Sequence, residues 1–229
     1  MAASAYGLDT ASEPEKSDDV SGASENEKTD TSLNNRPVHY SLEHYTDAAL
    51  ADTPMTMDEF IAEDAWPVID EKIRTLVNEE GPVSLEIITK KLIKSCGISR
   101  TTQNVTDAVD QAVHRMKLRP KRLNGLKTFW PDGLEPEKYT VFRTAADSKS
   151  RRDLDLICMQ EKKNAVCYAL QEKGPLDKQS LIKETSVQMG YGRLGESQRT
   201  AIEAAVKYAV KSGEIRINED KLYILCQSD

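Results

Sequence analysis

Ten basic side chains lie within residues 90–127: Lys90, Lys91, Lys94, Arg100, Arg115, Lys117, Arg119, Lys121, Arg122 and Lys127. Only Asp107 and Asp110 oppose them, so the segment carries +8. Cations at this density can neutralise phosphates and release condensed counterions, the electrostatic part of nucleic-acid binding. Thr101 and Thr102 stand where a helix can begin, and suit a phosphate contact through hydroxyls and free N–H groups. Gln103, Asn104, Gln111 and His114 fall off the apolar stripe of the same helix and are candidates for base edges. The plain alternative is a solvated charged face. Two acids on that helix repel phosphate, and the cations cluster after the helix rather than on it, which favours backbone contact over base readout.

Other chemistry has less to stand on. The four cysteines, Cys96, Cys158, Cys167 and Cys226, never fall in C-x-x-C spacing and mostly sit among apolar neighbours. That pattern fits reduced, buried thiols in a cytoplasm. His39 and His44 have no third ligand near them in sequence, so no metal is expected. The chain contains no phosphate-loop, H-E-x-x-H or G-x-S-x-G string. Glu79-Glu80 is an acid pair with no nucleophile beside it and a Gly-Pro directly after it. The expectation is no catalytic residue, no cofactor and no small-molecule substrate.

The positioning elements follow from caps, periodicity and punctuation. Thr56 and Glu59 have capping-box spacing, and Pro67 opens a helical segment with stripe Ile69, Ile73, Leu76 and Val77. Gly81-Pro82 ends it. Ser84, Ile87, Ile88, Leu92 and Ile93 read as the next helix, stopped at Gly97. Ser99 or Thr101 caps a third, with Val105, Val109, Ala112, Val113 and Met116 inward. Asn124-Gly125 between apolar-containing arms is a hairpin turn, since both centre positions of a type I′ turn need positive φ. Three helices and a β-hairpin give the winged-helix order, in which the third helix enters the major groove and the wing meets the backbone.

The pattern occurs twice. Gly81-Pro82 recurs as Gly174-Pro175, an offset of 93, and the same offset pairs Gly97 with Gly190, Arg100 with Arg193, and Val113 with Val206. Helices are expected over about 153–172, 177–188 and 197–212, then a hairpin over 213–225 with alternating Ile215, Ile217, Leu222 and Ile224. The second copy is nearly neutral, with 13 bases and 12 acids in residues 151–229. It reads mainly as a spacer or docking unit.

Composition sets the frame. The 229 residues are 38% hydrophobic, with a net charge of −7. Residues 1–54 hold 11 acids and 3 bases, so −8, which leaves +1 for the rest; the acidic balance belongs to the leader. Residues 1–36 are too polar to offset their ordering entropy, and the stretch 39–50 has aromatic anchors for a loose contact. No apolar run nears the roughly 20 residues of a membrane span, and no signal peptide is legible. The expected organisation is mainly α with short hairpins (α+β): a disordered acidic leader over 1–54, and winged-helix-like modules over 55–135 and 150–229.

The strings Glu80-Gly81-Pro82-Val83, Gly97-Ile98-Ser99-Arg100 and Phe129-Trp130-Pro131 carry a resemblance. With GYGRLGESQRTAIEAAV near the end, residues 60–229 resemble the C-terminal domain of unknown function in large bacterial superfamily-one helicase-like proteins. The motor and nuclease-like domains of those proteins are not part of this chain. The resemblance implies an accessory role in DNA processing and transfers no catalytic residue. DNA, chiefly duplex and through its backbone, is the expected partner, with a helicase or nuclease protein as another. The rival expectations are a protein-docking module without nucleic-acid binding and a sequence-specific transcription regulator.

Overall fold

A computed structural model describes residues 38–226 apart from Asn124, Ser148 and Lys149. The expected disordered segment over 1–36 therefore lies outside the described residues. The chain begins there with β1 (Ser41–Tyr45), followed by a short α1 (Met57–Ile61) and by α2 (Trp66–Glu80). The capping box at Thr56 and Glu59 is formed in both directions. Next come β2 (Val83–Ser84), α3 (Leu85–Ser95), α4 (Gln103–Arg115), β3 (Lys121–Leu123) and β4 (Leu126–Phe129). A linking strand, β5 (Val141–Ala145), leads to α5 (Met159–Lys173), α6 (Lys178–Gln188), α7 (Glu196–Lys211), β6 (Ile215–Ile217) and β7 (Tyr223–Leu225). The architecture is mixed α/β, with seven α-helices and three small sheets among the described residues.

Periodicity forms the first core. Ile73, Leu76, Ile88, Leu92, Val105 and Val109 are fully buried beneath Phe129 of the antiparallel sheet β2-β4-β3. Each such side chain contributes on the order of 2 kcal/mol by leaving water. The second core repeats the plan with Val166, Leu181, Ile182, Ile202 and Ile215. Its hairpin β6-β7 gains a third edge through a bridge between Leu176 and Tyr223.

The 93-residue offset survives in three dimensions. Trp66 to Met159, Leu85 to Lys178 and Gln103 to Glu196, the starts of matching helices, all differ by 93. Gly97 and Gly190 both take positive φ, +69° and +85°. At Gly190 a Cβ would stand 2.8 Å from the Thr144 hydroxyl.

Four expectations need correction. Residues 38–54 are not part of an unstructured leader: β1 pairs in parallel with β5, Ser41 opposite Val141 through Tyr45 opposite Ala145. Gln171 fastens this strand by an amide clasp, donating to the Tyr40 carbonyl and accepting its N–H at 3.1 and 2.9 Å. The following loop is pinned where Thr53 and Met55 donate to the carbonyls of Ser95 and Cys96. The first helix of the second half starts at Met159, not near 153; Leu154–Leu156 is a separate 3-10 turn. Thr102, not Ser99 or Thr101, caps α4. Ile217 does not continue the inward alternation and is 51% exposed, because β6 has left the core after Ile215.

Candidate functional site

Helix α4 is set by its cap and its stripe. The Thr102 hydroxyl accepts from Val105 N at 3.4 Å and also lies 3.6 Å from the Met57 sulfur. Thr102 is thus engaged by its own helix, and only Thr101 remains exposed for a ligand. Burial of Val105, Val109, Ala112 and Val113 turns Gln103, Asn104, Asp107, Gln111 and His114 outward along the opposite face. Gln103 donates to Asp107 at 2.8 Å, which fixes both side chains at the start of that face.

The ten bases do not act as one field. Lys91 is held by Glu80 and Asp47, Arg115 by Asp70, Lys127 by Asp110, and Lys121 by Glu137 at 2.5 Å. Arg115 also stacks over Trp66 at 4.2 Å from the ring centre. Lys90 faces Asp153 at 3.9 Å, with both side chains mostly in solvent, a contact worth little. Lys94, Arg100, Lys117, Arg119 and Arg122 are exposed and have no acid partner among the described residues. Four of the five paired bases meet acids outside residues 90–127, which hides the neutralisation from a reading of that segment alone.

The hairpin β3-β4 is not a free wing. Leu123 packs against the second core, and Leu156 packs in return against the first. Leu123 and Leu126 also line a 440 Å³ cavity with Ile157, Met159, Ala201 and Ala204. Lys121 and Arg122, at the other end of β3, stay exposed. The cationic surface is therefore the start of β3 and the loop before it rather than the hairpin tip.

Elsewhere the fold holds a buried polar latch that motif reading missed. Glu80 is fully buried, accepting from Tyr45 Oη, from Ala48 N at 2.7 Å, and from Lys91 Nζ at 2.6 and 2.7 Å. Arg143 of β5 donates to the carbonyls of Glu80, Gly81 and Pro82 at 2.7, 3.2 and 2.9 Å. Its other side meets the fully buried Glu161 of α5, and Arg152 grips the same carboxylate with two bonds of 2.8 Å. Burial alone would raise the Glu161 carboxyl, but Arg152 and Arg143 together hold it at about 2. The Tyr45 ring lies 4.2 Å from the Arg152 guanidinium, and its hydroxyl is pushed well above the usual range by burial and by Glu80. The signal in sequence was an arginine inside an apolar strand, Val141-Phe142-Arg143, which demands a buried partner.

Lys91 is thus a latch residue and not a free cation. Glu80 belongs to the latch, while Glu79 is exposed. Cys158 and Cys167 are buried and unpaired, and burial pushes both thiols up to about 12, which leaves them poor nucleophiles. His39 and His44 are exposed. Among the described residues no group of three or more His, Cys, Asp or Glu side chains is placed to hold a metal ion. No helix among them is long and apolar enough to cross a membrane.

Comparison with known proteins reaches only the first half. No curated protein matches the chain, and no solved structure matches it. A family model described as a protein of unknown function (DUF3320) matches residues 58–107. That stretch runs from α1 through α2, β2 and α3 into the start of α4, so its similarity to this uncharacterised family covers the scaffold that presents the exposed face of α4.

Proposed function

We propose that the chain is a non-catalytic accessory module that holds DNA, built from two tandem winged-helix-like units, within a bacterial DNA-processing system. The helicase-like resemblance suggests a motor protein as its second partner. The order helix, helix, helix, hairpin in both halves supports the winged-helix reading, with the short strand β2 after the first helix in the first half and a single bridging residue, Leu176, in the second. The observation that carries the binding proposal is the distribution of unpaired cations. Arg100 precedes α4, Lys117 and Arg119 follow it, Arg122 stands on β3, and Lys94 ends α3. They bracket a helix of 13 residues, about 20 Å long at 1.5 Å per residue.

In this reading Arg100 and Arg119 contact phosphates on either side of a groove, and Lys94, Lys117 and Arg122 extend the clamp. Asn104, Gln111 and His114 project between them, where base edges would lie. The exposed Asp107 weakens that face toward phosphate, so affinity rests on the ends of the helix. The mode is salt-dependent backbone binding with modest sequence preference.

Fluorescence anisotropy with labelled duplex and single-stranded DNA tests the proposal. The full chain binds duplex at low salt, and Lys117→Ala/Arg119→Ala/Arg122→Ala weakens it at least about tenfold, since charge-assisted bonds contribute about 1.5–3 kcal/mol each. No binding by the wild-type chain at low salt removes the proposal and leaves protein docking as the reading.

A further inference from the structure

The second half contributes a feature that the repeat alone does not explain. A 720 Å³ cavity opens between the loop entering the 3-10 turn at Leu154 and the loop joining α6 to α7. Arg151, Arg152 and Arg193 all line it, together with Tyr191, Gly192 and Gln198. One acid, Asp153, lies on its wall, and it faces Lys90 at 3.9 Å. Arg151 and Arg193 are exposed and, among the described residues, bond to no other side chain.

Arg152 forms part of the cavity wall and is spent on Glu161, which serves Arg143 as well. The surplus cation of that triad is matched by the two carboxylates, Glu80 and Asp47, on Lys91, which Tyr45 joins to it, so the base of the cavity is fixed and charge-balanced. The walls are fixed rather than pliant. Tyr191 Oη donates to the Arg152 carbonyl at 2.7 Å and ties the two loops together. Ser186 closes the second loop, its hydroxyl donating to the Tyr191 carbonyl at 3.0 Å. Arg151 and Arg152 line a second, 310 Å³ cavity with Lys90 and Lys91, where Asp153 and Asp47 stand against the two lysines.

We propose that this cavity is a phosphate seat, in which Arg151 and Arg193 grip the phosphate oxygens above the buried Arg143–Arg152–Glu161 base. Unpaired guanidiniums suit a phosphate because their planar forks present paired donors to two oxygens. The phosphate can belong to a nucleic-acid backbone or to a free phosphorylated compound, and the seat does not require that the first half bind DNA. Gln198, on the first turn of α7, supplies a neutral donor from the same wall.

Calorimetric titration of the full chain with inorganic pyrophosphate, and anisotropy with a labelled duplex, test the seat. The variant is Arg151→Gln/Arg193→Gln. The charge-matched control is Arg74→Gln/Arg216→Gln, two exposed arginines that do not line the cavity. All four side chains are exposed and make no ion pair among the described residues, so both variants keep the wild-type circular dichroism. A fall of about tenfold or more in pyrophosphate affinity, in the cavity variant alone, supports the seat and a free ligand. An equal fall confined to duplex affinity supports the seat with the backbone as its source. Both affinities unchanged, equal losses in the two variants, or no binding of either probe by the wild type overturns it. Duplex binding that depends on Lys117, Arg119 and Arg122, with neither pyrophosphate nor duplex affinity depending on Arg151 and Arg193, overturns the seat alone. Pyrophosphate binding without any duplex binding leaves the seat and removes the DNA proposal.

Discussion

Replacing Glu161 by Gln strikes the latch at its centre. Five bonds converge on this carboxylate: from the N, Nε and NH2 of Arg143 at 3.1, 3.2 and 2.6 Å, and from both terminal nitrogens of Arg152 at 2.8 Å. Glu161→Gln keeps the volume but removes the charge and turns one acceptor into a donor facing guanidinium donors. Two cations then remain buried without a counter-ion, a loss of about 3–5 kcal/mol. The same two guanidiniums hold the carboxyl well below its usual range, which points in the same direction. A loss of about 3 kcal/mol lowers the urea midpoint by about 1.5 M at a slope of about 2 kcal/mol/M. Both tryptophans, Trp66 and Trp130, lie in the first half, whereas helix content is spread over both. Arg143 joins the halves through the carbonyls at residues 80–82, so the variant should also separate the fluorescence transition from the circular-dichroism transition. A loss under about 1 kcal/mol, with coincident transitions, would refute the claim that this carboxylate holds the halves together.

Two further outcomes follow from the same geometry. Because Glu161 is depressed in the folded state, its stabilisation is complete above about 4.5 and drains away as pH falls toward 2. Urea midpoints measured from pH 6 down to pH 2.5 should show this loss in the wild type, and a Glu161→Gln chain should lack that component. Gly190→Ala should destabilise by about 1–2 kcal/mol, since φ of +85° disfavours a side chain and the new methyl would press on Thr144. Thermal unfolding checks it, and a neutral result would contradict the close approach of the β5 end to the α6–α7 junction.

The helices were legible because their signals are local. Thr56 with Glu59, Ser84 before Leu85, and the apolar stripes each act within a few residues, and the 93-residue offset marked the second set. The parallel pair β1-β5 was not legible, because its partners stand 100 residues apart and neither strand alternates clearly between apolar and polar. The α5 boundary was misplaced because Leu156 and Ile157 match the helical period while packing from a 3-10 turn and the residue after it. The candidate site divided in the same way. Exposure of Gln103, Asn104, Gln111 and His114 followed from the stripe, whereas the capture of Lys91 by Glu80, and of Arg115 by Asp70, depends on folds of the chain that bring distant acids alongside. The latch was hidden for the same reason: Glu80, Arg143, Arg152 and Glu161 are unremarkable until tertiary structure buries them together.

The salt dependence of duplex binding shows how many of the exposed cations meet phosphates. With five unpaired cations at the candidate face, log affinity against log salt should fall with a slope of about −4.5 if all five meet phosphates, at about 0.9 per contact. Neutralising Arg119 and Arg122 should bring it to about −2.7, while Lys91→Ala should leave it unchanged at salt and temperature where the fold persists. A slope near zero, or the same slope in the Arg119 and Arg122 variant, would contradict the account.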